Sequence, residues 1–363
     1  MRIFAAVEHI FHTLKIAKTV AETADAKTFY FEIPAELKDL YSYTAGQYLT
    51  FRILQNGEEV RRSYSLCTYE GTDSNPGVTV KRVEMGRMSN YMNDNLKEGE
   101  TLEVMPPFGK FTVVPDIARS TRYVFFAGGS GITPCLGISK AVLKDEPNSQ
   151  VTLIYANRNP ESVIFRDILI ALEKQHGDRF KVIHNYDAAP MTWFGMKGFL
   201  TDDKVANILH QKIGSGFPSF QYYICGPSPM MDIVKKGLAK AGVQSGNIHS
   251  EFFGAPVGDK IIEEPVEEAA FEGTAKVTVN VYGRSATFTV DKNTNILKAA
   301  MKNGVDPPYS CTVGVCTTCR AKLHKGKVHM TEREGLTDDE IEDGYVLTCQ
   351  AFPRSAEIDL TYE

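Results

Sequence analysis

Four of the chain's seven cysteines crowd its C-terminal end, as Cys311-x4-Cys316-x2-Cys319 and then Cys349. Three sulfur donors on one short loop, with a fourth carried back from further along the chain, require a fold that closes a loop onto a returning strand. The spacing is that of four thiolates around a [2Fe-2S] cluster. A structural zinc site is the alternative, but it favours paired C-x2-C steps; here the first gap is four residues and Cys349 stands alone. Gly314, Thr317 and Thr318 fall between the donors, and such small residues permit tight turns whose backbone N–H groups can reach the sulfurs. An odd cysteine count with no visible secretory leader argues against a disulfide framework.

A chain of 363 residues exceeds what one hydrophobic core usually organises, so two or three domains are expected. A hydrophobic content of 43% and a charged content of 23% are those of a globular protein. The net charge of -5 offers no basic stripe, which argues against nucleic acid as a partner. No apolar run reaches the length of a membrane span, and the N-terminus shows no leader pattern, so a cytoplasmic location is expected.

Along the chain the pattern changes twice. Segments 27–33, 47–53, 59–67, 78–83 and 101–105 mix alternation with β-branched and aromatic residues, and turn signals such as Asn56-Gly57 separate them. They predict an antiparallel β-barrel. Strand and helix then alternate, with strands at 123–127, 151–156, 180–185 and 221–225 and helices at 134–143, 162–174 and 230–241. That order predicts a parallel sheet covered on both faces. Residues 255–273 are acidic and rich in Pro and Ala, as a solvated linker would be. Beyond them, 276–282 and 285–290 read as a hairpin and 296–303 as a short helix leading to the cysteine loop. The expected domains are 1–115, 116–254 and 274–363.

In the barrel, Arg62-Ser63-Tyr64-Ser65 ends a strand, and alternation sets Arg62 and Tyr64 on one face. One cationic fork and one flat ring could serve a phosphate and a flavin together. An exposed Arg beside a packed Tyr is the plainer reading of the same four residues. Two later features add weight: Val80-Lys81-Arg82-Val83, and Gly86-Arg87-Met88-Ser89, where Ser89 reads as the N-cap of a helix whose start could hold an anion.

In the second domain, Gly128-Gly129-Ser130-Gly131-Ile132-Thr133-Pro134 follows an apolar strand and opens a helix, so its backbone can approach a pyrophosphate. Pro134 stands where the last glycine of the common dinucleotide fingerprint would be. After the next strand, where an NAD site often carries an acidic residue, the chain has Asn157-Arg158 and later Arg166. Cations there suit a 2′-phosphate and hence NADPH; solvated surface charges are the alternative. Cys225-Gly226-Pro227 ends the last strand at the carboxyl edge of the sheet, where ligands bind in such folds. Cys67, Cys135 and Cys225 also suit small buried positions.

Taken in this order, the motifs resemble the ferredoxin-NADP reductase superfamily, and residues 274–363, with Pro308-Tyr309-Ser310 before Cys311, resemble a plant-type ferredoxin of β-grasp fold. The resemblance implies that Arg62 meets the FAD pyrophosphate, Tyr64 packs on the isoalloxazine and Ser65 lies near its N5. Lys81, Arg82, Val83, Met88 and Ser89 would line the phosphate and ribityl region, with FAD favoured over FMN. Gly128 to Gly131, Thr133 and Pro134 would hold the nicotinamide cosubstrate, with Cys225, Gly226 and Pro227 beside its ring. Ser250-Glu251-Phe252 resembles the segment that closes over the flavin edge, where Glu251 would assist proton movement, although an exposed Glu is the ordinary expectation. The domain order is most similar to that of reductases of the phenylacetyl-CoA epoxidase kind, and reductases of ketosteroid hydroxylases share it. The implied activity is NADPH oxidation on FAD with single electrons leaving through the cluster to a terminal oxygenase or other acceptor protein. A flavoprotein dehydrogenase for a small acceptor, with the ferredoxin part as a binding module, stays open as a second class.

Overall fold

The computed structural model describes residues 11–253, 271, 273–281, 283–310, 312, 314, 316–333, 335–336 and 338–362. The expected linker 255–273 lies almost wholly outside these residues, as does Cys311. The described chain forms two compact units, Phe11–Phe253 and the residues after it.

The first unit opens with β1 (His12–Thr23), β2 (Ala26–Glu32), β3 (Tyr48–Gln55), β4 (Glu58–Ser65) and β5 (Gly77–Lys81), then α1 (Arg87–Asn95) and β6 (Thr101–Val104). They form one antiparallel sheet in the order β4-β3-β6-β1-β2-β5. A bridge between Leu66 and Val78 joins its two edges, which closes the barrel and removes the open edges. Leu14, Ile16, Phe29, Phe31, Phe51 and Val80 fill the interior. β1 is the longest strand and escapes the sequence reading, because register shifts at Ile16/Lys18 and Ala21/Thr23 interrupt its alternation.

The parallel part follows as β7 (Arg122–Gly128), α2 (Ile132–Asp145), β8 (Gln150–Asn157), α3 (Arg166–His176), β9 (Phe180–Tyr186), β10 (Met196–Lys197), α4 (Asp202–Ile208), β11 (Gln221–Gly226), α5 (Ser228–Lys240) and β12 (Ile248–Phe252). The strand order is β10-β9-β8-β7-β11-β12, every pairing parallel. The chain turns one way after β7 and later returns to its other side at β11, so the crevice between these two strands is the topological switch point. One face of the sheet packs with Phe111, Ala45 and Cys67 of the barrel in a single core; the other packs on α4 and α5 through Phe126, Val205, Met231 and Leu238. Helix α3 begins at Arg166 and not at 162, because Phe165 sits in the left-handed region at φ 63° and breaks the helical path.

The second unit comprises β13 (Thr274–Val281), β14 (Arg284–Asp291), α6 (Ile296–Lys302), β15 (Arg320–Lys325), β16 (Val328–Met330), α7 (Asp338–Glu342), β17 (Tyr345–Leu347), β18 (Ala351–Pro353) and β19 (Glu357–Tyr362). Its main sheet runs β14-β13-β19-β15-β17, with β13 and β19 parallel and the other neighbours antiparallel. Helix α6 lies in the core with Val277, Val279, Val290 and Leu360, the β-grasp plan. Among the described residues no helix is long and apolar enough to cross a membrane.

Candidate functional site

At the end of β4, Ser65 is buried and donates its Oγ proton to Glu251 Oε2 at 3.0 Å. Glu251 stands beside Cys225 in the parallel register of β12 and β11, so Ser65, Cys225 and Glu251 meet where the barrel covers the carboxyl edge of the sheet. Burial pushes the Glu251 pKa up to about 8, and the Ser65 hydroxyl opposes the shift. Glu251 is half-buried and not exposed, and its raised pKa favours the protonated form near neutral pH. Burial likewise drives the Cys225 thiol well above its usual range, with the charges of Glu251 and Cys135 adding to it. Cys225 is therefore a neutral group and no nucleophile.

Tyr64 shares its face with Arg62, packs 5.9 Å from the Phe51 ring, and has a pKa raised by desolvation. Arg62 is exposed; its guanidinium donates to the Arg61 carbonyl at 2.6 Å and has no carboxylate partner among the described residues. Its neighbour Arg61 is buried instead, against Glu59 at 2.7 Å and the Phe11 ring at 4.9 Å. Arg82 is occupied by Asp94 at 2.6 Å, and Lys81 pairs with Asp25 at 3.6 Å. Ser89 is not the N-cap of α1: that position is Gly86, which presents no side chain. The Ser89 hydroxyl turns inward to accept from Val83 N at 3.1 Å, and Met88 enters the barrel core. What the start of α1 leaves for an anion is its first-turn N–H groups.

The glycine loop after β7 is shaped by contact. A methyl group on Gly131 would lie 2.0 Å from the Cys225 carbonyl oxygen, and one on Gly128 would lie 2.7 Å from Met230 Sδ, so the two ligand-facing turns are pressed together across the switch point. Gly129, at φ 52°, is held by Tyr155, whose hydroxyl donates to its carbonyl at 2.9 Å. A methyl group there would meet only Lys81 Nζ, at 3.8 Å, so this part of the cradle is open towards a cation. The Thr133 hydroxyl donates back to Ser130 O at 3.0 Å, and Pro134 occupies the first turn of α2. At the end of β8, Asn157 is 5% exposed with both amide atoms unpartnered, an unusual state for a buried amide. Arg158 and Arg166 are exposed and lack an acidic partner among the described residues. His184 and Tyr186 stack beside them at 5.6 Å, and burial, with Arg166, keeps His184 low in pKa and neutral. Neither aromatic residue was singled out from sequence; only pairing of β8 with β9 places them there.

In the second unit Cys319 and Cys349 are buried with Leu297, Tyr309, Leu336 and Leu347, while Cys316 is half-buried. Thr348 N donates to the Cys319 carbonyl at 3.1 Å, which ties the returning chain to the loop. The Gln350 side-chain amide donates to Thr312 O at 2.9 Å and lies 3.7 Å from Cys349 Sγ. Gly314, at φ 81°, packs so tightly that a methyl group would lie 2.6 Å from Glu332 Cγ. Among the described residues no three ligating side chains gather around a single point, as a mononuclear site would ask. A binuclear cluster held by four thiolates asks only two of each iron, and soft sulfur donors in an apolar pocket fit that group.

Fold and site together define a class: reductases that couple a flavin barrel, a nicotinamide-binding parallel sheet and a [2Fe-2S] ferredoxin domain. The chain matches an oxidoreductase FAD-binding domain over residues 13–113, an oxidoreductase NAD-binding domain over 125–236 and a 2Fe-2S iron-sulfur cluster binding domain over 279–354. It is 36% identical over 358 residues to a subunit of the 1,2-phenylacetyl-CoA epoxidase of Escherichia coli (strain K12), covering 97% of this chain and 98% of that one. It is 35% identical to the ferredoxin reductase component of 3-ketosteroid-9-alpha-monooxygenase of Rhodococcus rhodochrous, over 94% of this chain and 93% of that one. Phthalate dioxygenase reductase, described as a modular structure for electron transfer from pyridine nucleotides to [2Fe-2S], superposes with a TM-score of 0.59 at 28% identity, covering 97% and 98% of the two chains. The chain belongs to the ferredoxin-NADP reductase type family of oxygenase reductases. It uses FAD, a [2Fe-2S] cluster and a nicotinamide nucleotide to pass electrons to a terminal oxygenase.

Proposed function

We propose that this reductase draws its electrons from NADPH and delivers them to an oxygenase of the phenylacetyl-CoA epoxidase kind. The pair Arg158 and Arg166 carries the nucleotide choice. Both are exposed cations without an acidic partner among the described residues, beside the buried, unpartnered amide of Asn157, at the strand end where an NAD site often has a carboxylate. Two cations at that place suit the dianionic 2′-phosphate. The acceptor choice rests on the 36% identity over nearly the whole chain; the ketosteroid monooxygenase relative at 35% supports the runner-up.

The residues divide the work. Arg62 and the N-terminus of α1, assisted by Lys81 and Arg82, neutralise the FAD pyrophosphate, and Tyr64 stacks on the ring. Gly128, Gly129, Ser130, Gly131 and Thr133 receive the nucleotide, with Cys225, Gly226 and Pro227 beside its nicotinamide. Ser65 and the protonated Glu251 hold a proton beside the flavin edge and exclude water there. FAD supplies the conversion between hydride and single-electron chemistry. Cys311, Cys316, Cys319 and Cys349 hold the cluster. The division of the chain at 115/116 and 273/274 belongs to the same proposal.

Anaerobic titration of the purified protein with NADPH and, separately, NADH tests the nucleotide reading. Preferential bleaching of the flavin and cluster bands by NADPH is expected; preference for NADH overturns it. Turnover with purified epoxidase and ketosteroid monooxygenase oxygenase components separates the two acceptors.

A further inference from the structure

Strand β12 is an edge strand of the parallel sheet, and all five of its residues are half-buried. Two of them share the face that Ser65 meets: His249 lies opposite Tyr223, and Glu251 opposite Cys225, in the register with β11. The His249 ring stacks on Tyr223 with centroids 4.6 Å apart, and its Nε2 lies 3.0 Å from Gln221 Oε1.

The surrounding hydrogen bonds assign the tautomer of this ring. The Pro218 carbonyl can only accept, so Asn247 turns its amide nitrogen to it, at 3.2 Å. The Asn247 oxygen then accepts from Gln221 Nε2 at 3.2 Å, which leaves Gln221 Oε1 as the acceptor facing the imidazole. His249 Nε2 therefore carries the proton, and Nδ1 of the neutral ring carries a lone pair. The direction of that lone pair follows as well. Gln221 stands two residues before Tyr223, towards the amino end of the strands, and the two nitrogens point to nearly opposite sides of the ring. With Nε2 aimed at Gln221, Nδ1 is aimed towards the carboxyl edge, where Glu251 follows about 6.6 Å along the strand. One water can bridge such a gap.

The other titratable groups on this face are Tyr223 and Cys225, both kept un-ionised by burial, while Lys235 of α5 covers the Phe252 ring on the opposite face. Burial lowers the His249 pKa, so the ring rests as a neutral base.

A hydride brings a flavin two electrons and one hydrogen nucleus, whereas a [2Fe-2S] cluster takes electrons singly and no proton. For every two electrons that leave through the cluster, one proton must therefore reach water. We propose that His249 is the outward relay for that proton: Glu251 hands its proton through one water to His249 Nδ1, and the imidazolium releases it to solvent at the sheet edge. The O–H bond broken at Glu251 is remade by the proton released at the flavin, which arrives through Ser65, so carboxyl and imidazole both return to their starting states. The bond from Nε2 to Gln221 persists in the imidazolium, so the ring gains and loses the proton without turning. The inference rests on the reading of Glu251 as the proton holder beside the flavin edge.

The test compares two variants of the full-length holoprotein: His249→Phe, which keeps a flat ring on Tyr223 and removes both nitrogens, and Glu251→Gln. ¹⁵N NMR of the wild-type imidazole gives a readout independent of turnover. A proton on Nε2 and none on Nδ1 at neutral pH is expected; the opposite tautomer overturns the inference. In anaerobic stopped flow with a pH-indicator dye and cytochrome c as acceptor, His249→Phe should leave flavin bleaching by NADPH and the nucleotide KM unchanged. Proton release and kcat should fall roughly tenfold or more and recover in part on adding imidazole. Equal losses in flavin bleaching, proton release and melting temperature overturn the inference, because they mark a packing role for the ring. Normal proton release in His249→Phe with slow release in Glu251→Gln overturns the relay alone. Normal release in both variants overturns the reading of Glu251 itself, a separate failure.

Discussion

The hydroxyl of Ser65 donates to the Glu251 carboxylate at 3.0 Å across 186 residues of sequence, joining the last residue of a barrel strand to the last strand of the parallel sheet. Because burial raises the Glu251 pKa to about 8 from an ordinary value of 4.5, the folded protein binds a proton there that the unfolded chain releases. The stabilising effect of that bound proton is fully present below pH 4.5 and is lost as the pH rises through 8. Glu251→Gln removes this dependence. Thermal melts of the holoprotein should show the variant gaining on the wild type as the pH is raised from 5 to about 9, with the steepest divergence between the two pKa values. A constant difference across that range would show that Glu251 titrates normally.

The nucleotide preference should move with Arg158. Losing a charge-assisted bond costs about 1.5–3 kcal/mol, or roughly a 10- to 100-fold loss. Arg158→Ala should therefore cut kcat/KM for NADPH by about that factor while leaving NADH nearly unchanged. Steady-state kinetics with both nucleotides checks it; equal losses would make Arg158 a general support and no 2′-phosphate ligand.

Cys349→Ser should separate the two halves of the activity. The cluster bands should vanish and electron delivery to a one-electron protein acceptor such as cytochrome c should fall to background. Reduction of a small two-electron acceptor at the flavin should persist, since the barrel and parallel sheet form their own compact unit. Unchanged cytochrome c reduction would instead support the small-acceptor dehydrogenase reading.

Gly131 has no room for a side chain. A methyl group would stand 2.0 Å from Cys225 O and 2.7 Å from Gly226 N, backbone atoms that cannot rotate away. Gly131→Ala should cost about 3 kcal/mol through overpacking and weaken nucleotide binding by spreading the two turns apart. Gly57→Ala is the contrasting control: no atom lies within 4 Å, and only its φ of 78° is strained. Denaturant melts and nucleotide titrations of both variants measure the difference.

Much of this protein was legible in the chain because its signals are local. The cysteine spacing specifies four thiolates, the change from strand-turn-strand to strand-loop-helix separates barrel from parallel sheet, and alternation alone puts Arg62 beside Tyr64. Local signals also mislead where the tertiary structure intervenes. Ser89 has the residue type of an N-cap, yet its hydroxyl serves Val83 inside the barrel and Gly86 takes the cap. The pattern from 162 onward reads as helix, but Phe165 in a left-handed conformation delays α3 to Arg166. β1 hides behind its own register shifts.

What the sequence by itself determined is the inventory: which domains, which cofactors and which motif residues are at hand, since each follows from spacings of a few residues. The tertiary structure alone decided how those residues act on one another. It set Glu251 against Ser65, pressed Gly131 onto the Cys225 turn and left Arg158 without an acidic partner among the described residues. Protonation state, close approach and an unpaired donor depend on which strands become neighbours and on what water can no longer reach, and strand register and burial exist only once the chain has folded.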